Sequence, residues 1–169
     1  MKNKNILVIG ASGSGKTYIV QKLKNKYPFI YDSDEIQGLS NWFDWEKKPV
    51  EFPKDADDKW LKTHEFLWNK EVLQKFIKEN EPVIIFGLSG NCFKMVDLFD
   101  EVYYLDINPA DLEKRLKNQN RLNPMGKTKE QADLVIKYME TIRQKAAELK
   151  IPFINANQSP EQIMNQIVG

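Results

Sequence analysis

The sequence has very few of the residues that cross-link a chain or bind transition metals. Of its 169 residues, Cys92 is the only cysteine and His64 the only histidine. A single cysteine excludes an internal disulfide bond and fits a reducing compartment. With one cysteine and one histidine, no His/Cys/Asp cluster has the spacing of a zinc-type site. The sequence therefore excludes disulfide-stapled and zinc-ribbon classes of protein.

Long apolar runs and an excess of one charge are also missing. The aliphatic run over residues 6–9 is far too short to span a bilayer, and no cleavage-site pattern accompanies it. Lys and Arg total 25 against 24 Asp and Glu, so the net charge is +1. Such a balance does not favour a general polyanion binder. We therefore expect a cytoplasmic protein with no nucleic-acid and no membrane partner.

What the sequence does contain is typical of one globular α/β domain. Hydrophobic residues make up 41% of the chain and charged residues 29%. Short β-like runs alternate with amphipathic segments, which predicts a three-layer α/β fold with a parallel sheet covered on both faces. The five predicted strands are Ile6 to Ile9, Phe29 to Tyr31, Val83 to Phe86, Val102 to Leu105 and Pro152 to Ile154.

Capping chemistry and periodicity predict the helices between these strands. Three helix starts carry N-cap or capping-box residues. They are Asn108 before Pro109, Thr128 with Gln131, and Ser159 with Gln162. Apolar and aromatic residues at helical spacing also predict one long helix from Trp60 to Ile77.

A glycine-rich turn lies between the first predicted strand and the first helix. It reads Gly10-Ala11-Ser12-Gly13-Ser14-Gly15-Lys16-Thr17 and matches the G-x-x-x-x-G-K-[ST] pattern of a phosphate-binding loop. In such a turn the backbone N–H groups and the helix N-terminus face an oligophosphate. Lys16 would reach the β- and γ-phosphates, and the Thr17 hydroxyl suits Mg²⁺. The whole turn is therefore the predicted nucleotide site, with ATP and Mg²⁺ as expected cofactors, and no guanine-specificity motif favours GTP.

Two aspartates follow the second predicted strand, at the sheet edge where ligands of parallel sheets bind. Asp32 and Asp34 lie on one side of the chain if the extended geometry continues. One carboxylate would then hold Mg²⁺ and the other would orient or deprotonate an attacking hydroxyl. The alternative is that one of them merely caps a short helix.

The order of these elements resembles the small P-loop kinases, above all the shikimate and gluconate kinases, with nucleoside monophosphate kinases more distant. The resemblance implies a P-loop NTPase fold with a five-stranded parallel sheet in the order 2-3-1-4-5. It also implies one domain over residues 1–169, with an acceptor-binding helical insertion over about 33–80 and a lid loop over about 118–128. By this likeness Asp32 is the metal-side carboxylate and Asp34 the catalytic, substrate-side one.

The resemblance also assigns roles to arginines in the second half of the chain. Arg121 is similar to the catalytic lid arginine that closes over the transferring phosphate, and Lys127 lies in the same loop. Arg115 resembles the arginine that faces ATP, although a solvated or ion-paired arginine remains an alternative. Arg143 occupies the place of a substrate arginine, and an exposed ion pair with Glu140 or Glu148 is an equal alternative.

The expected activity is transfer of the ATP γ-phosphoryl group to a hydroxyl of a small-molecule acceptor. Trp42 and Trp45, predicted to lie in a loop, are candidates for acceptor contacts. The third strand ends at Gly87 without an acidic residue, which keeps open an ATP-hydrolysing regulatory protein with no such acceptor. A nucleoside or nucleotide kinase is a further alternative, but no arginine precedes Arg115 to bind an acceptor phosphate. The oligomeric state is left open.

Overall fold

The protein is described by a computed structural model that covers residues 4–53, 56–118, 126 and 128–169. Its strands are β1 (Ile6–Ile9), β2 (Ile30–Asp32), β3 (Ser40–Phe43), β4 (Pro49–Val50), β5 (Glu65–Trp68), β6 (Ile84–Gly87), β7 (Glu101–Asp106) and β8 (Phe153–Asn155). Its α-helices are α1 (Lys16–Leu23), α2 (Asp58–Thr63), α3 (Lys70–Asn80), α4 (Pro109–Leu116), α5 (Lys129–Glu148) and α6 (Pro160–Val168). Two 3₁₀ helices span Ser33–Glu35 and Cys92–Leu98.

Five parallel strands form the central sheet, in the order β2-β6-β1-β7-β8. This confirms the predicted α/β class and the five parallel strands. When all strands of the chain are numbered in sequence, the order is 2-6-1-7-8 and not the expected 2-3-1-4-5. The numbers differ because β3, β4 and β5, which belong to another sheet, lie between the second and third strands of this sheet along the chain. β6, β7 and β8 are the third, fourth and fifth strands of this sheet along the chain.

Alternation along β1 explains why the sheet is covered on both faces. Ile6 and Val8 lie in a core cluster with residues of α1, α4 and α6, whereas Leu7 and Ile9 lie in a second cluster with residues of α3 and the 3₁₀ helix at Cys92–Leu98. Every residue of β1 is buried, so a run of apolar residues without polar alternation is what this central strand requires. The long helix α5 contributes to both clusters.

The segment over residues 33–80 is not the helical insertion that the sequence predicted. It contains a three-stranded antiparallel sheet, β4-β3-β5, together with α2 and α3. The single helix predicted from Trp60 to Ile77 is wrong because residues 65–68 pair with residues 40–43 as a strand. Asn69 then starts α3, since its side chain accepts hydrogen bonds from the backbone N–H groups of Glu71 and Val72. Aromatic residues four apart fit a helix face and a strand equally well.

The three predicted helix caps are present, but one is used differently. Asn108 caps α4, and Ser159 forms a reciprocal capping box with Gln162. Thr128 accepts a hydrogen bond from the Gln131 N–H, as predicted. The Gln131 side chain, however, does not bond the backbone N–H of Thr128; it bonds Gly126 and Ala56 instead. Among the described residues, no helix is long and apolar enough to cross a bilayer.

Candidate active site

The glycine-rich loop follows β1 and leads directly into α1. Gly13 and Gly15 have φ angles of +87° and +105°, in the left-handed region that favours glycine. The Ser14 N–H donates to the carbonyl of Ala11 at 3.1 Å, which closes a tight turn. Lys16 Nζ donates to the carbonyls of Gly10 at 2.7 Å and Ala11 at 3.0 Å. The ammonium group therefore lies folded against the start of the loop.

Helix α4 packs on the outside of this loop. A Cβ atom at Gly13 would lie 2.9 Å from Leu112 Cδ1 and 3.1 Å from Leu116 Cδ2. Both leucines are buried, at 0% and 1% exposure. The middle of the loop thus has no room for a side chain, and two leucines of α4 fix its position.

Arg115 fixes the same loop by hydrogen bonds. Its guanidinium donates to the Ser14 carbonyl at 2.8 Å, the Ala156 carbonyl at 2.9 Å and Asn157 Oδ1 at 2.9 Å. Burial lowers the pKa of Arg115, and the nearby Asp111 carboxylate opposes that shift. Arg115 is therefore a bridge between the loop and the turn after β8 in this structure.

The two aspartates at the end of β2 take different positions. Asp32 is 3% exposed, and its Oδ1 accepts a hydrogen bond from the Asp34 N–H at 3.0 Å. The chain turns into the 3₁₀ helix at this point, so the extended geometry on which the expected alternation depends does not continue past Asp32. Asp32 thus caps this short helix. In this turn the Ile36 N–H also donates a hydrogen bond to the Ser33 carbonyl at 3.3 Å.

Asp34 lies at the surface within electrostatic reach of the loop. Desolvation by the surrounding protein and the negative charge of Asp32 raise its pKa, whereas the Lys16 ammonium and a hydrogen bond from Ser33 lower it. The structure thus brings together Lys16, Asp32 and Asp34, the three charged residues that the sequence placed at this edge. Thr17, at the start of α1, is exposed.

The turn after β6 is attached to the insertion by Asn91. The Asn91 side chain makes no cap hydrogen bond. Instead it accepts from the Trp68 N–H and donates to the Trp68 carbonyl, both at 2.9 Å. It also accepts a hydrogen bond from the Ser89 hydroxyl at 2.8 Å. No local signal in the sequence indicates this contact, because it depends on where β5 lies.

The remaining candidates from the sequence are placed as follows. Arg143 pairs with Asp106 through two contacts, at 3.1 and 3.2 Å, and not with Glu140 or Glu148. Arg121 and Lys127 lie outside the described residues. Trp42 lies in β3 rather than in a loop.

The aromatic residues of the insertion form a packed group around Trp42. Its ring contacts those of Phe52, Trp60 and Phe66, with centroids 4.9–5.3 Å apart. Trp60 in turn stacks on His64 with centroids 4.0 Å apart. Trp45 is different, because it is 76% exposed. Trp45 is thus the most exposed of the four tryptophans.

Comparison with known proteins gives similarity at the level of structure. No protein-family model matches the chain, and neither does any curated protein sequence. Shikimate kinase from Acinetobacter baumannii, solved with shikimate, is 16% identical over 99% of this chain and 94% of its own, with a TM-score of 0.60. Shikimate kinase from Aquifex aeolicus is 18% identical over 97% and 94%, with a TM-score of 0.57.

A third solved structure agrees with these two. Gluconokinase from Sinorhizobium meliloti is 14% identical over 96% of this chain and 87% of its own, with a TM-score of 0.54. The chain has the small P-loop kinase fold. At these identities the likeness establishes the fold alone.

Proposed function

We propose that the protein is an ATP- and Mg²⁺-dependent kinase that transfers the γ-phosphoryl group to a hydroxyl of a small-molecule acceptor. The observation that carries the proposal is the charge arrangement at the carboxyl end of β1. There a formed phosphate-binding loop, the Lys16 ammonium and the Asp34 carboxylate lie within electrostatic reach of one another. Phosphoryl transfer needs positioned charges more than it needs covalent chemistry by the protein.

Lys16 and Asp34 divide the electrostatic tasks. Lys16 would exchange its two carbonyl partners for oxygens of the β- and γ-phosphates, where a positive charge stabilises the transferring group. Asp34 would accept the proton of the attacking hydroxyl. A raised pKa makes Asp34 a better base than an ordinary surface carboxylate. Arg121 is the proposed further cation over the transferring group.

The chain also offers oxygen ligands that fit Mg²⁺. The Thr17 hydroxyl and the second oxygen of Asp32 are hard donors, and Mg²⁺ in such sites is held by few protein ligands together with phosphates. Among the described residues, no group of three or more His, Cys, Asp or Glu is placed to hold a metal. When bound, the ion would neutralise phosphate oxygens. Arg115 would hold the loop in shape beside the nucleotide.

The test is a pair of lysine substitutions assayed by ADP production with hydroxy acids, polyols, nucleosides and nucleotides as acceptors. Lys16→Ala is expected to reduce acceptor-stimulated turnover by at least about 100-fold, the size of effect seen when one transition-state donor is lost. Lys22→Ala is the matched control, because Lys22 is an exposed lysine of the same helix. Full activity of Lys16→Ala, or no stimulation of the natural protein by any acceptor, would overturn the proposal.

A second candidate is an ATP-hydrolysing regulatory protein that transfers phosphate to water alone. It is favoured by the end of β6, since residues 87–91 carry no carboxylate to complete a metal site. The acceptor panel separates the two candidates. ADP production that no acceptor stimulates, but that Lys16→Ala abolishes, would support this second function.

A further inference from the structure

Gln131, in the first turn of α5, is a buried polar side chain with two hydrogen-bond partners outside its helix. It is 7% exposed. Its Oε1 accepts a hydrogen bond from the Gly126 N–H at 3.2 Å, and its Nε2 donates to the Ala56 carbonyl at 2.9 Å. Both hydrogen bonds are buried. One amide group therefore joins the residue shortly before α5 to the segment that leads into α2.

One arm of this bridge continues to the phosphate-binding loop through Leu116. A Cβ atom at Gly126 would lie 2.8 Å from Leu116 Cδ2, the same methyl group that lies 3.1 Å from the Cβ position of Gly13. Leu116 is 1% exposed. A single buried leucine thus packs on a glycine of the phosphate-binding loop and on the glycine that Gln131 holds. Because interiors are close-packed, displacement of either glycine moves this side chain.

The other arm leads to the aromatic group of the insertion. Ala56, itself 4% exposed, precedes Asp57, whose side chain caps α2 by accepting from the Trp60 N–H at 2.8 Å. Trp60 packs against Trp42 with ring centroids 4.9 Å apart. Helices α2 and α5 are in contact. The carbonyl that Gln131 holds is therefore one residue from the cap that positions Trp60.

We propose that Gln131 is a positioning residue that couples the nucleotide side of the site to the acceptor-side insertion. The inference rests on the proposed function, since it assumes that the loop at Gly13 binds a nucleotide. The physical route is a continuous set of contacts: Gly13 with Leu116, Leu116 with Gly126, and Gly126 through Gln131 to Ala56. Nucleotide binding at the loop thereby changes the surroundings of Trp60 and the affinity for the acceptor. Acceptor binding in turn changes the affinity for nucleotide by the same factor.

The amide is suited to this task because both of its ends are used. An amide offers a donor and an acceptor at once, and a buried group that loses its partner is costly. Glutamate at this position would keep an acceptor for the Gly126 N–H but would place a carboxylate against the Ala56 carbonyl. Methionine has similar length and would remove both hydrogen bonds. Gln131→Glu therefore removes only the hydrogen bond to Ala56, and Gln131→Met removes the hydrogen bonds to both Ala56 and Gly126.

Tryptophan emission reports on the insertion, because all four tryptophans lie within residues 42–68. The probe is ADP or a non-hydrolysable ATP analogue with magnesium, titrated into the full-length chain. Calorimetry on the same samples measures nucleotide binding independently. The natural protein is expected to show a saturable change in emission with the midpoint of the calorimetric titration.

The variants are Gln131→Glu and Gln131→Met, with Gln144→Glu as the matched control. Gln144 is an exposed glutamine of the same helix, and its side chain donates a hydrogen bond to Glu148 at 3.1 Å. Both Gln131 variants are expected to retain nucleotide binding while the amplitude of the emission change falls at least fivefold. Gln144→Glu is expected to keep the full amplitude. Far-ultraviolet circular dichroism at the same temperature establishes that each variant is folded.

The outcomes separate this inference from the proposed function. Nucleotide binding without an emission change in the natural protein, or with the same amplitude in a folded Gln131 variant, overturns the coupling while leaving the nucleotide site intact. A lower melting temperature with undiminished amplitude shows a merely structural role and also overturns it. Absence of calorimetric binding overturns the proposed function and the coupling together.

Discussion

The packing of α4 on the phosphate-binding loop makes a quantitative prediction for Gly13→Ala. Gly13 has φ +87°, and an alanine in that region costs about 1–2 kcal/mol. The added methyl would also lie 2.9 Å from Leu112 Cδ1 and 3.1 Å from Leu116 Cδ2, closer than carbon atoms normally approach. Overpacking of a buried site adds about 1–3 kcal/mol. The expected loss in the free energy of unfolding is therefore about 2–5 kcal/mol, the sum of these two costs.

Gly38→Ala is the matched control for this prediction. Gly38 has φ +74°, but a Cβ atom there has no heavy atom within 4 Å. Gly38→Ala should therefore show only the backbone cost of about 1–2 kcal/mol. Urea unfolding followed by tryptophan fluorescence measures both values, and calorimetry with magnesium and ADP measures whether the loop still binds. Gly13→Ala should lose nucleotide affinity and Gly38→Ala should not. Equal destabilisation by the two substitutions would refute the packing of α4 on this loop.

Three further predictions concern the hydrogen bonds and charge around the site. Arg115→Lys should weaken nucleotide binding about 10-fold, equivalent to the loss of about 1.4 kcal/mol of loop positioning, because a single ammonium nitrogen cannot replace the two guanidinium nitrogens, Nη1 and Nη2, that donate here; unchanged calorimetric affinity would contradict it. Asn91→Ala should lower the free energy of unfolding by about 2–3 kcal/mol, since two partly buried backbone groups of Trp68 lose their partner; the exposed Asn80→Ala should cost less than half as much in the same urea titration. The pKa of Asp34 is raised in the folded protein, so its ionisation opposes folding above the unfolded pKa of about 3.9. Asp34→Asn should therefore raise the melting temperature at pH 7 and abolish acceptor-stimulated turnover. Below the unfolded pKa the substitution should no longer raise the melting temperature. A lower melting temperature at pH 7 would show that the Asp34 charge does not oppose folding.

The parts of the fold that the sequence predicted are those that local chemistry determines. The run Ile6 to Ile9 followed by a glycine-rich turn specifies a buried strand and a phosphate-binding loop without reference to any distant residue. Asn108 and Ser159 likewise cap helices through hydrogen bonds to residues three positions away. These elements bring Lys16 to the edge of the central sheet, so the position of the Lys16 ammonium in the candidate site was predictable from the sequence.

The insertion was mispredicted because its structure is decided by pairing between segments. Residues 65–68 become a strand only when residues 40–43 lie beside them. Asn91 then bonds both backbone groups of Trp68 from 23 positions away. Periodicity in one segment cannot report a partner elsewhere, and tertiary contacts override local propensity. The same holds for Arg143, whose carboxylate partner Asp106 lies 37 positions earlier and not on its own helix.

Gln131 shows how a correct local pattern conceals a distant contact. Thr128 and Gln131 have the spacing of a capping box, and the Thr128 half of that pattern is present. The reciprocal half is absent because the Gln131 amide has better-buried partners: Gly126 five positions away and Ala56 75 positions away. A capping side chain exposed to water gains little over solvation, whereas a buried carbonyl without a donor is costly. Whether the Gln131 amide caps α5 or bonds Gly126 and Ala56 is therefore decided by which backbone groups the fold has buried. Because it bonds these buried groups, the Gln131 side chain links the two sides of the candidate active site.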